Sequence, residues 1–257
     1  MDKELIDISD LSIGYKGNAI IENINFKLHC GEVMSLLGAN GVGKSTLLKT
    51  ITGELKPIKG VVNIIGHGIN YFSQKELSKI ISIVTTERIV AGGLKVGELV
   101  ALGRHPHTGY FGKLTQLDIN IIDYAIEMVG IKHKKNSFVA ELSDGERQKV
   151  MIARAIAQQT PIIILDEPFS FLDTASRIEI FNLLKQISKQ NNTGILLSSH
   201  DVSQAIRMSD TLCIVTTDKK LHIGTPTEII ENNQISDLFD NDNIIFDKSQ
   251  SDFISKF

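Results

Sequence analysis

The sequence predicts an α/β fold with a parallel sheet at its core, an antiparallel β layer at the N-terminus and a helical subdomain inserted into the core. Apolar and polar residues alternate near the N-terminus, as they do in half-buried antiparallel strands. Continuous apolar runs alternate with helical patterns in the second half of the chain, which indicates βαβ units. Between these two parts, over about residues 87 to 159, the periodicity is helical.

The N-terminal layer begins with two strands. Alternation over Leu5 to Ile8 and over Ile20 to Leu28 predicts an antiparallel pair. Gly14, Gly17 and Asn18 are typical turn residues and mark turns between the two strands.

A strand, a loop and a helix follow the N-terminal layer. The apolar run from Val33 to Leu37 predicts a buried strand, and a helical pattern extends from about Lys44 to Thr52. Gly53 ends this helix. The segment between the strand and the helix is rich in glycine.

Three helical patterns make up the predicted helical subdomain of about residues 87 to 159. They cover Val96 to Leu102, Leu117 to Val129 and Gly145 to Ala157. Gly130 closes the second helix, as glycine commonly does at the end of a helix.

Strands and helices alternate again after the helical subdomain. Apolar runs occur at Ile162 to Leu165, Ile195 to Leu197 and Leu212 to Val215. Helical patterns separate them at about Ala175 to Lys189 and at Val202 to Met208. This alternation predicts a parallel sheet that is buried on both faces.

The last element that the sequence predicts is a short helix. Thr225 and Glu228 form a capping box with a proline at the first helical position, which predicts a helix to Glu231. We assign residues 1 to 232 to one domain and leave residues 233 to 257 as a C-terminal tail of unclear role.

The overall composition excludes several classes of protein. Among 257 residues, 42% are apolar and 22% are charged, and the net charge is −3, so nucleic acid is not an expected partner. The longest apolar stretches are far shorter than the about 18 residues that would predict a membrane-spanning helix. No secretory signal is visible at the N-terminus, so we expect the chain to stay in the cytoplasm. Cys30 and Cys213 have apolar neighbours and are typical of reduced core thiols.

The glycine-rich loop matches the P-loop pattern, and it has the expected strand before it and helix after it. It reads GANGVGKS from Gly38 to Ser45. Glycines allow backbone N–H groups to converge on phosphate oxygens, while Lys44 reaches the β and γ phosphates and Ser45 places its hydroxyl on Mg²⁺. A glycine turn that merely caps a helix leaves the Lys-Ser pair unexplained. The predicted ATP-binding residues of this segment are Gly38, Asn40, Gly41, Gly43, Lys44, Ser45 and Thr46.

A second chemical signature follows the apolar strand at Ile162 to Leu165. Asp166 and Glu167 come directly after it, where carboxylates can hold Mg²⁺ and act on a water molecule at the edge of a sheet. We expect Asp166 to bind the metal and Glu167 to polarise the attacking water. His200 follows another apolar run and is expected at the same edge, as a further catalytic residue. A solvated acidic turn is the alternative explanation for the two carboxylates.

Five segments in a fixed order resemble the nucleotide-binding subunit of ABC transporters over about residues 3 to 232. The P-loop and the acidic strand end are two of them. Leu142 to Glu146 reads LSDGE and resembles the family's LSGGQ signature, although Ser143 and Glu146 alone are also an ordinary capping box. Ser170 to Asp173 is similar to the family's D-loop, and Ser199 to Asp201 is similar to its switch-histidine segment.

The resemblance implies an ATPase with the ABC fold that works as a homodimer. Each subunit would close ATP between its own P-loop and the partner's signature helix, with Ser143, Gly145 and Glu146 acting in trans. Tyr15 matches the aromatic residue that stacks on adenine, and Asp173 matches the D-loop residue that joins the two sites. A partly buried tyrosine at the end of a strand is the alternative for Tyr15.

Two positions depart from the family pattern. Thr86 stands where the family has its Q-loop glutamine and, with its shorter side chain, could reach the metal only through water. Asp144 replaces a signature glycine and adds negative charge beside the expected γ-phosphate, which is unfavourable unless the side chain is paired or points away. Neither departure removes the catalytic residues, so hydrolysis is still expected.

One further segment resembles a particular branch of importers. Val96 to His107 is similar to the V-x-E-L-V-x-x-G-R-x-P segment of importers for ferric siderophores, haem and cobalamin. The resemblance implies that this segment receives a permease at the cytoplasmic face of the inner membrane, and that a substrate-binding protein delivers the cargo. An amphipathic helix ended by glycine and proline describes the segment equally well. His105 and His107 are too few and too close in sequence to predict a metal site.

Alternatives remain open at this stage. A soluble ABC ATPase that remodels an assembly without transport is the main one, and a regulatory module that binds ATP without turnover is another. The basic run from Lys132 to Lys135 could contact lipid headgroups, but a solvated loop between helices explains it better.

Overall fold

The computed structural model describes residues 3–85, 93–109, 111–238, 244–248 and 251–255. Within these ranges the strands are β1 Glu4–Tyr15, β2 Asn18–His29, β3 Val33–Gly38, β4 Lys59–Ile64, β5 His67–Gly68, β6 Ile81–Val84, β7 Ile162–Leu165, β8 Gly194–Ser199, β9 Thr211–Val215, β10 Leu221–Gly224, β11 Ile244–Asp247 and β12 Asp252–Ser255. The α-helices are α1 Lys44–Ile51, α2 Gln74–Leu77, α3 Val96–Ala101, α4 Gln116–Met128, α5 Asp144–Ala157, α6 Thr174–Asn191, α7 Val202–Met208 and α8 Pro226–Glu231.

A six-stranded sheet forms the centre of the molecule, in the order β10-β9-β3-β8-β7-β6. Its strands are parallel except for β10, which pairs antiparallel with β9 at one edge. The strand β7 shows why its sequence is a continuous apolar run. Ile163 and Leu165 pack with the helices on one face, whereas Ile162 and Ile164 pack with the N-terminal layer on the other. This confirms the predicted parallel sheet that is buried on both faces.

The N-terminal layer is a separate antiparallel sheet with the order β2-β1-β4-β5. Tyr15 pairs with Asn18, and Gly17 occupies the turn between β1 and β2 with φ +84°. Gly14 does not mark a turn but lies inside β1, where a Cβ would come within 1.9 Å of the Asn18 carbonyl oxygen. Glycine is therefore required at this position by the close approach of the neighbouring strand.

The helices α3, α4 and α5 pack together and against one face of the central sheet. Buried residues of all three share one core cluster with α6 and with the sheet, and Phe181 of α6 is among the largest of them. The predicted helical subdomain begins at about residue 87, which lies outside the described residues, so its first boundary stays a prediction.

A third cluster lies beyond β9. Ile229 of α8 packs there with Ile235 and Leu238, and these last two are about 1% exposed. The strands β11 and β12 form a hairpin, and Phe246 and Phe253 from this hairpin pack against the same cluster. The proposed division at residue 232 is untested by these contacts and remains a prediction. Among the described residues, no helix combines the length and apolarity needed to cross a membrane.

Candidate functional site

The P-loop joins the end of β3 to the start of α1 at the carboxyl edge of the central sheet. Gly43 precedes the helix with φ +120°, and a Cβ there would come within 2.9 Å of Ile21 Cδ1. A side chain at this position would therefore be strained and crowded. Gly41, which has φ +78°, faces open space, so the loop leaves room above itself for a ligand.

The side chain of Lys44 folds back over this loop. Its Nζ donates hydrogen bonds to the carbonyl oxygens of Gly38 and Ala39, at 2.8 and 3.1 Å. Lys44 is 5% exposed, and burial lowers the pKa of its ammonium group, although the carboxylates of Glu167 and Asp166 oppose this shift. The loop thus carries a cation that has already lost most of its hydration, which favours an anionic ligand.

Two carboxylates follow β7 at the same edge, as predicted. Ser198, near the end of the adjacent strand β8, donates its hydroxyl to Asp166 Oδ1 at 2.6 Å. The Ser198 hydroxyl oxygen in turn accepts the backbone N–H of Glu167 at 2.7 Å. Sequence reasoning did not identify Ser198 as a site residue. Its position could have indicated the site, because Ser198 is a polar residue near the end of an apolar strand, and parallel neighbouring strands end at the same edge of a sheet.

Glu167 lies between the two other residues that were predicted to act with it. Its Oε1 is 3.8 Å from Lys44 Nζ, and its Oε2 is 3.8 Å from His200 Nδ1. The hydroxyl of Ser170 donates to Oε2 at 3.2 Å. Glu167 has φ +44°, a conformation that costs energy for a residue other than glycine and is typical of functional sites.

The predicted metal ligands form an oxygen-only donor set. Asp166 is half-buried and oriented by Ser198, and Ser45 is exposed in the first turn of α1. Within the described ranges, no three His, Cys, Asp or Glu side chains cluster into a metal site. A hydroxyl and one carboxylate fit Mg²⁺, which commonly completes its coordination with water and substrate phosphates. Thr86, the third predicted ligand, lies outside the described residues.

Tyr15 and Thr46 border the loop on the side of the antiparallel layer. Tyr15 ends β1 and is 47% exposed, and its hydroxyl accepts a hydrogen bond from Thr46 Oγ1 at 3.4 Å. Asn40 is exposed in the loop itself. The predicted adenine-stacking residue thus contacts a predicted ATP-binding residue of α1.

The signature segment makes its contacts with other parts of the chain. Ser143 caps α5 by accepting the Glu146 N–H at 3.2 Å, and the Glu146 carboxylate accepts the Ser143 N–H in return. Lys134 Nζ is 3.4 Å from Glu146, and hydrogen bonding to Ser143, ahead of Lys134, lowers the pKa of that carboxyl group. A Cβ on Gly145 would come within 3.1 Å of Ser176 Oγ, so this helix start borders α6.

The negative charge of Asp144 is paired within α5. Arg147 donates to Asp144 Oδ1 at 2.9 Å and also to the Leu142 carbonyl at 3.0 Å. The sequence had left open whether this aspartate is paired, and the ion pair answers that question.

Asp173 is the N-cap of α6. Its carboxylate accepts the Ser176 N–H at 2.7 Å, and this hydrogen bond lowers the pKa of the carboxyl group. Asp173 is exposed, so it is accessible to a second subunit.

A cavity of about 360 Å³ separates the importer-like segment from the N-terminal part of the chain. One wall carries Leu102, Gly103, His105 and Pro106, and other walls carry Leu77 and Arg154. Below it, Arg104 is 4% exposed and donates to Asp118 Oδ1 at 2.8 Å and to the Ala157 carbonyl at 2.8 Å. This buried ion pair and the bond to Ala157 link the segment to helices α4 and α5.

The basic run is neutralised by acidic neighbours. Lys132 pairs with Glu127, Lys134 with Glu146, and Lys135 with Asp123. These pairs favour the solvated loop over a lipid contact. Both Cys30 and Cys213 are free, and burial raises the pKa of the Cys213 thiol to about 12, which agrees with a reduced core residue.

Comparisons with known proteins support the same assignment. Residues 21–170 match the ABC transporter family. The chain is 40% identical to an uncharacterized ABC transporter ATP-binding protein of Methanocaldococcus jannaschii, over 92% of this chain and 81% of that protein. It is 35% identical to the iron(3+)-hydroxamate import ATP-binding protein of Bacillus subtilis, over 91% of this chain and 87% of that protein.

A solved structure agrees over almost the whole length. It belongs to an ABC transporter described as of metal-chelate type, in an inward-facing conformation. The TM-score is 0.82 at 25% sequence identity, and the match covers 98% of this chain and 96% of the other. The strand, loop and helix around Lys44, the signature segment and these matches lead to one conclusion. The chain belongs to the family of ATP-binding subunits of ABC transporters, which hydrolyse ATP to power transport.

Proposed function

We propose that this chain hydrolyses ATP as a homodimer to drive a metal-chelate importer, with iron-siderophore as the first choice of cargo. The position of Glu167 supports the proposed hydrolysis of ATP, because its carboxylate lies within 3.8 Å of both Lys44 and His200 at the edge of the sheet. The similarity to an iron(3+)-hydroxamate import protein supports the proposed role in transport. Haem-type and cobalamin-type cargo belong to the same importer branch that the segment at Val96 to His107 resembles.

The P-loop is the proposed phosphate site. Backbone N–H groups of the loop and the N-terminus of α1 bind the phosphates, because a helix N-terminus carries partial positive charge. Lys44 exchanges its two carbonyl partners for β- and γ-phosphate oxygens, which are stronger acceptors. Tyr15 stacks on the adenine ring with its exposed face.

Hydrolysis is assigned to Glu167 and His200. Glu167 accepts a proton from the attacking water, and Ser170 and Ser198 hold its carboxylate and backbone in place. His200 orients the γ-phosphate. A Mg²⁺ ion held by Ser45 and Asp166, with Thr86 contributing through water, would neutralise charge on the phosphates.

A second subunit completes the proposed site. Ser143, Gly145 and Glu146 begin α5, and a helix start offers N–H groups to a phosphate. These residues contact Lys134 and Ser176 of their own chain. As the resemblance to the family implies, they are proposed to meet ATP that is bound by the partner. Asp173, exposed at the start of α6, would join the two sites.

The cavity beside Leu102 is the proposed permease site. It is open to solvent, and apolar residues such as Leu77 and Leu102 line it together with polar ones such as Gln74 and Arg154, as in grooves that take an amphipathic helix. Leu102 is 52% exposed on its wall, which makes it a suitable contact for an apolar partner surface. The protein would then lie peripherally at the cytoplasmic face of the membrane.

Affinity purification of the tagged chain from membranes in mild detergent tests the proposal. We expect a multi-span permease in stoichiometric amount, identified by mass spectrometry. Leu102→Glu should lose the permease while the purified subunit keeps its ATPase activity, because a charge in the cavity opposes an apolar contact. Recovery of only soluble partners with the unmodified chain would contradict the importer and favour a non-transport ATPase.

A matched control uses an exposed residue on another surface. Tyr124 of α4 is 53% exposed, compared with 52% for Leu102, and it lines a different groove. Tyr124→Glu should therefore retain the permease. Loss of the permease in both variants would indicate general damage to the helical subdomain.

A further inference from the structure

Lys219 occupies an unfavourable backbone conformation in the turn between β9 and β10. Its φ is +68°, a region in which residues other than glycine are strained. The turn is closed by a hydrogen bond from the Lys219 N–H to the Thr216 carbonyl at 3.1 Å. Glycine and asparagine adopt this conformation more readily than lysine does.

The side chain of Lys219 reaches the P-loop. Its Nζ donates a hydrogen bond to the Val42 carbonyl oxygen at 3.2 Å, although the two residues are 177 positions apart. Val42 lies between Gly41 and Gly43 and is 4% exposed. A Cβ on Gly38 would come within 2.8 Å of the Val215 carbonyl and of Val42, so the end of β9 packs tightly against the loop.

The bond to Val42 also sets the direction of a neighbouring N–H group. The Val42 carbonyl and the Gly43 N–H belong to one planar trans peptide, in which they point in opposite directions. Because the hydrogen bond holds the Val42 carbonyl towards Lys219, the Gly43 N–H points away from Lys219. The ammonium group also adds positive charge beside the loop.

We propose that Lys219 is a positioning residue for phosphate binding, which fixes the peptide between Val42 and Gly43 and raises the local positive potential. The proposal rests on the phosphate role assigned to Gly38–Ser45. It explains why a strained lysine stands where glycine would cost less, since strain is commonly kept where it serves a site. Lys219 does not touch the reacting atoms in this role.

The neighbouring Lys220 provides a matched comparison. It belongs to the same turn and carries the same charge, but its Nζ pairs with Asp218 at 2.6 Å and its side chain is 72% exposed. Lys220→Ala removes a cation from the turn without removing a bond to the P-loop. A general effect of turn charge would appear in both variants.

The test compares Lys219→Gly and Lys219→Asn with Lys219→Arg and Lys220→Ala. Glycine and asparagine both accept a positive φ, so neither should unfold the turn. We expect the KM for ATP and the Kd for a fluorescent ADP analogue to rise about three- to tenfold, with kcat within about twofold. Tm should stay within about 1 °C because relief of strain offsets the lost hydrogen bond. Lys219→Arg should restore most of the affinity, and Lys220→Ala should resemble the unmodified protein.

Several outcomes would overturn the inference. Unchanged KM and Kd in Lys219→Gly would do so, as would a loss of Tm and affinity together that arginine does not rescue. An equal loss of affinity in Lys220→Ala would assign the effect to turn charge alone. Lys44→Ala distinguishes failure of the proposed phosphate site from failure of the role of Lys219, because it should abolish ATP binding whether or not Lys219 positions the loop. Normal ATP binding by Lys44→Ala would refute the proposed phosphate site itself.

Discussion

The carboxylate of Glu167 sits between the Lys44 ammonium and the His200 ring, at 3.8 Å from each. The Ser170 hydroxyl donates to this carboxylate, the Glu167 backbone N–H donates to Ser198, and the backbone of Glu167 adopts φ +44°. Several interactions therefore maintain one strained residue, which is typical of a catalytic position. The proposed general base follows from this geometry more directly than from the acidic pair alone.

Glu167→Gln tests the proposed base. The amide retains the size and most contacts of the side chain but accepts no proton, so we expect ATPase turnover to fall by at least about 100-fold. ATP should still bind and hold a closed dimer, detected by light scattering with and without ATP. Glu179→Gln, at an exposed glutamate paired with Lys149, is the control and should keep full activity. Normal turnover in Glu167→Gln would contradict the role of Glu167 as the general base.

The buried pair of Arg104 and Asp118 predicts a pH effect on stability. Hydrogen bonds from the Thr115 hydroxyl and N–H, followed by the bond from Arg104, lower the pKa of Asp118 from 3.8 to about 2. The folded state therefore binds the proton less readily than the unfolded chain, so the stabilisation is complete above the unfolded pKa and is lost as pH falls towards 2.

Asp118→Asn provides the measurement for this pair. The free energy of unfolding of the variant should be lower than that of the unmodified protein at neutral pH, because the Arg104 charge loses its partner. The difference should shrink between about pH 4.5 and 2.5 in urea titrations followed by circular dichroism. A difference that does not change with pH would show that the carboxylate charge is unimportant.

Helix α5 combines a structural cap with a proposed ligand contact. Ser143 and Glu146 satisfy two N–H groups at its start, and the same residues are proposed to meet the partner's ATP. Helix α8 has the same capping box, formed by Thr225 and Glu228. The two elements therefore separate the capping effect from the effect on ATP.

Ser143→Ala and Thr225→Ala form a matched pair, because each variant removes the N-cap of a helix that has a capping box. Each should cost about 1 kcal/mol in the free energy of unfolding, since each removes one N-cap. Only Ser143→Ala should lower ATPase activity and ATP-dependent dimerisation, while ATP binding to the monomer is retained. The measurements are thermal unfolding, phosphate release and gel filtration with ATP. Equal losses of activity in both would mean that the signature serine acts only through stability.

The whole molecule is organised around one sheet with cores on both faces and a third cluster beyond β9. This third cluster includes Ile235 and Leu238, which come after the residue at which the sequence analysis ended its domain. The hairpin of β11 and β12 adds Phe246 and Phe253, both only half-buried. The contribution of this region to stability can be measured directly.

Two truncations test the C-terminal boundary. Ending the chain after Asn232 removes Ile235 and Leu238, whose burial contributes about 3–6 kcal/mol, a large part of a typical stability. Ending it after Leu238 removes, among the described residues, the hairpin with its half-buried Phe246 and Phe253, and should cost less. Thermal unfolding should therefore show a much lower Tm for the shorter chain. Equal Tm values for both truncations and the full chain would support a tail without a structural role.

The sequence by itself determined the elements with strong local patterns. Helix α7 was predicted at Val202 to Met208 and strand β7 at Ile162 to Leu165, and both are confirmed at these bounds. The P-loop and the acidic pair were equally readable, because their chemistry depends on residues that are adjacent in the chain. The strands β6 and β10 were missed because, unlike the equally short but entirely apolar β7, each includes a polar residue, Ser82 in β6 and His222 in β10, and four residues show little periodicity.

Only the tertiary structure decided which distant side chains meet. Ser198 reaches Asp166 because β7 and β8 are parallel neighbours that end together, and Lys219 reaches Val42 because β9 pairs with β3. The pairing of Asp144 with Arg147 likewise needed side-chain directions as well as spacing. Local periodicity reports which face of an element is buried, whereas strand order and register set which residues lie opposite one another. That order is a property of the folded chain as a whole.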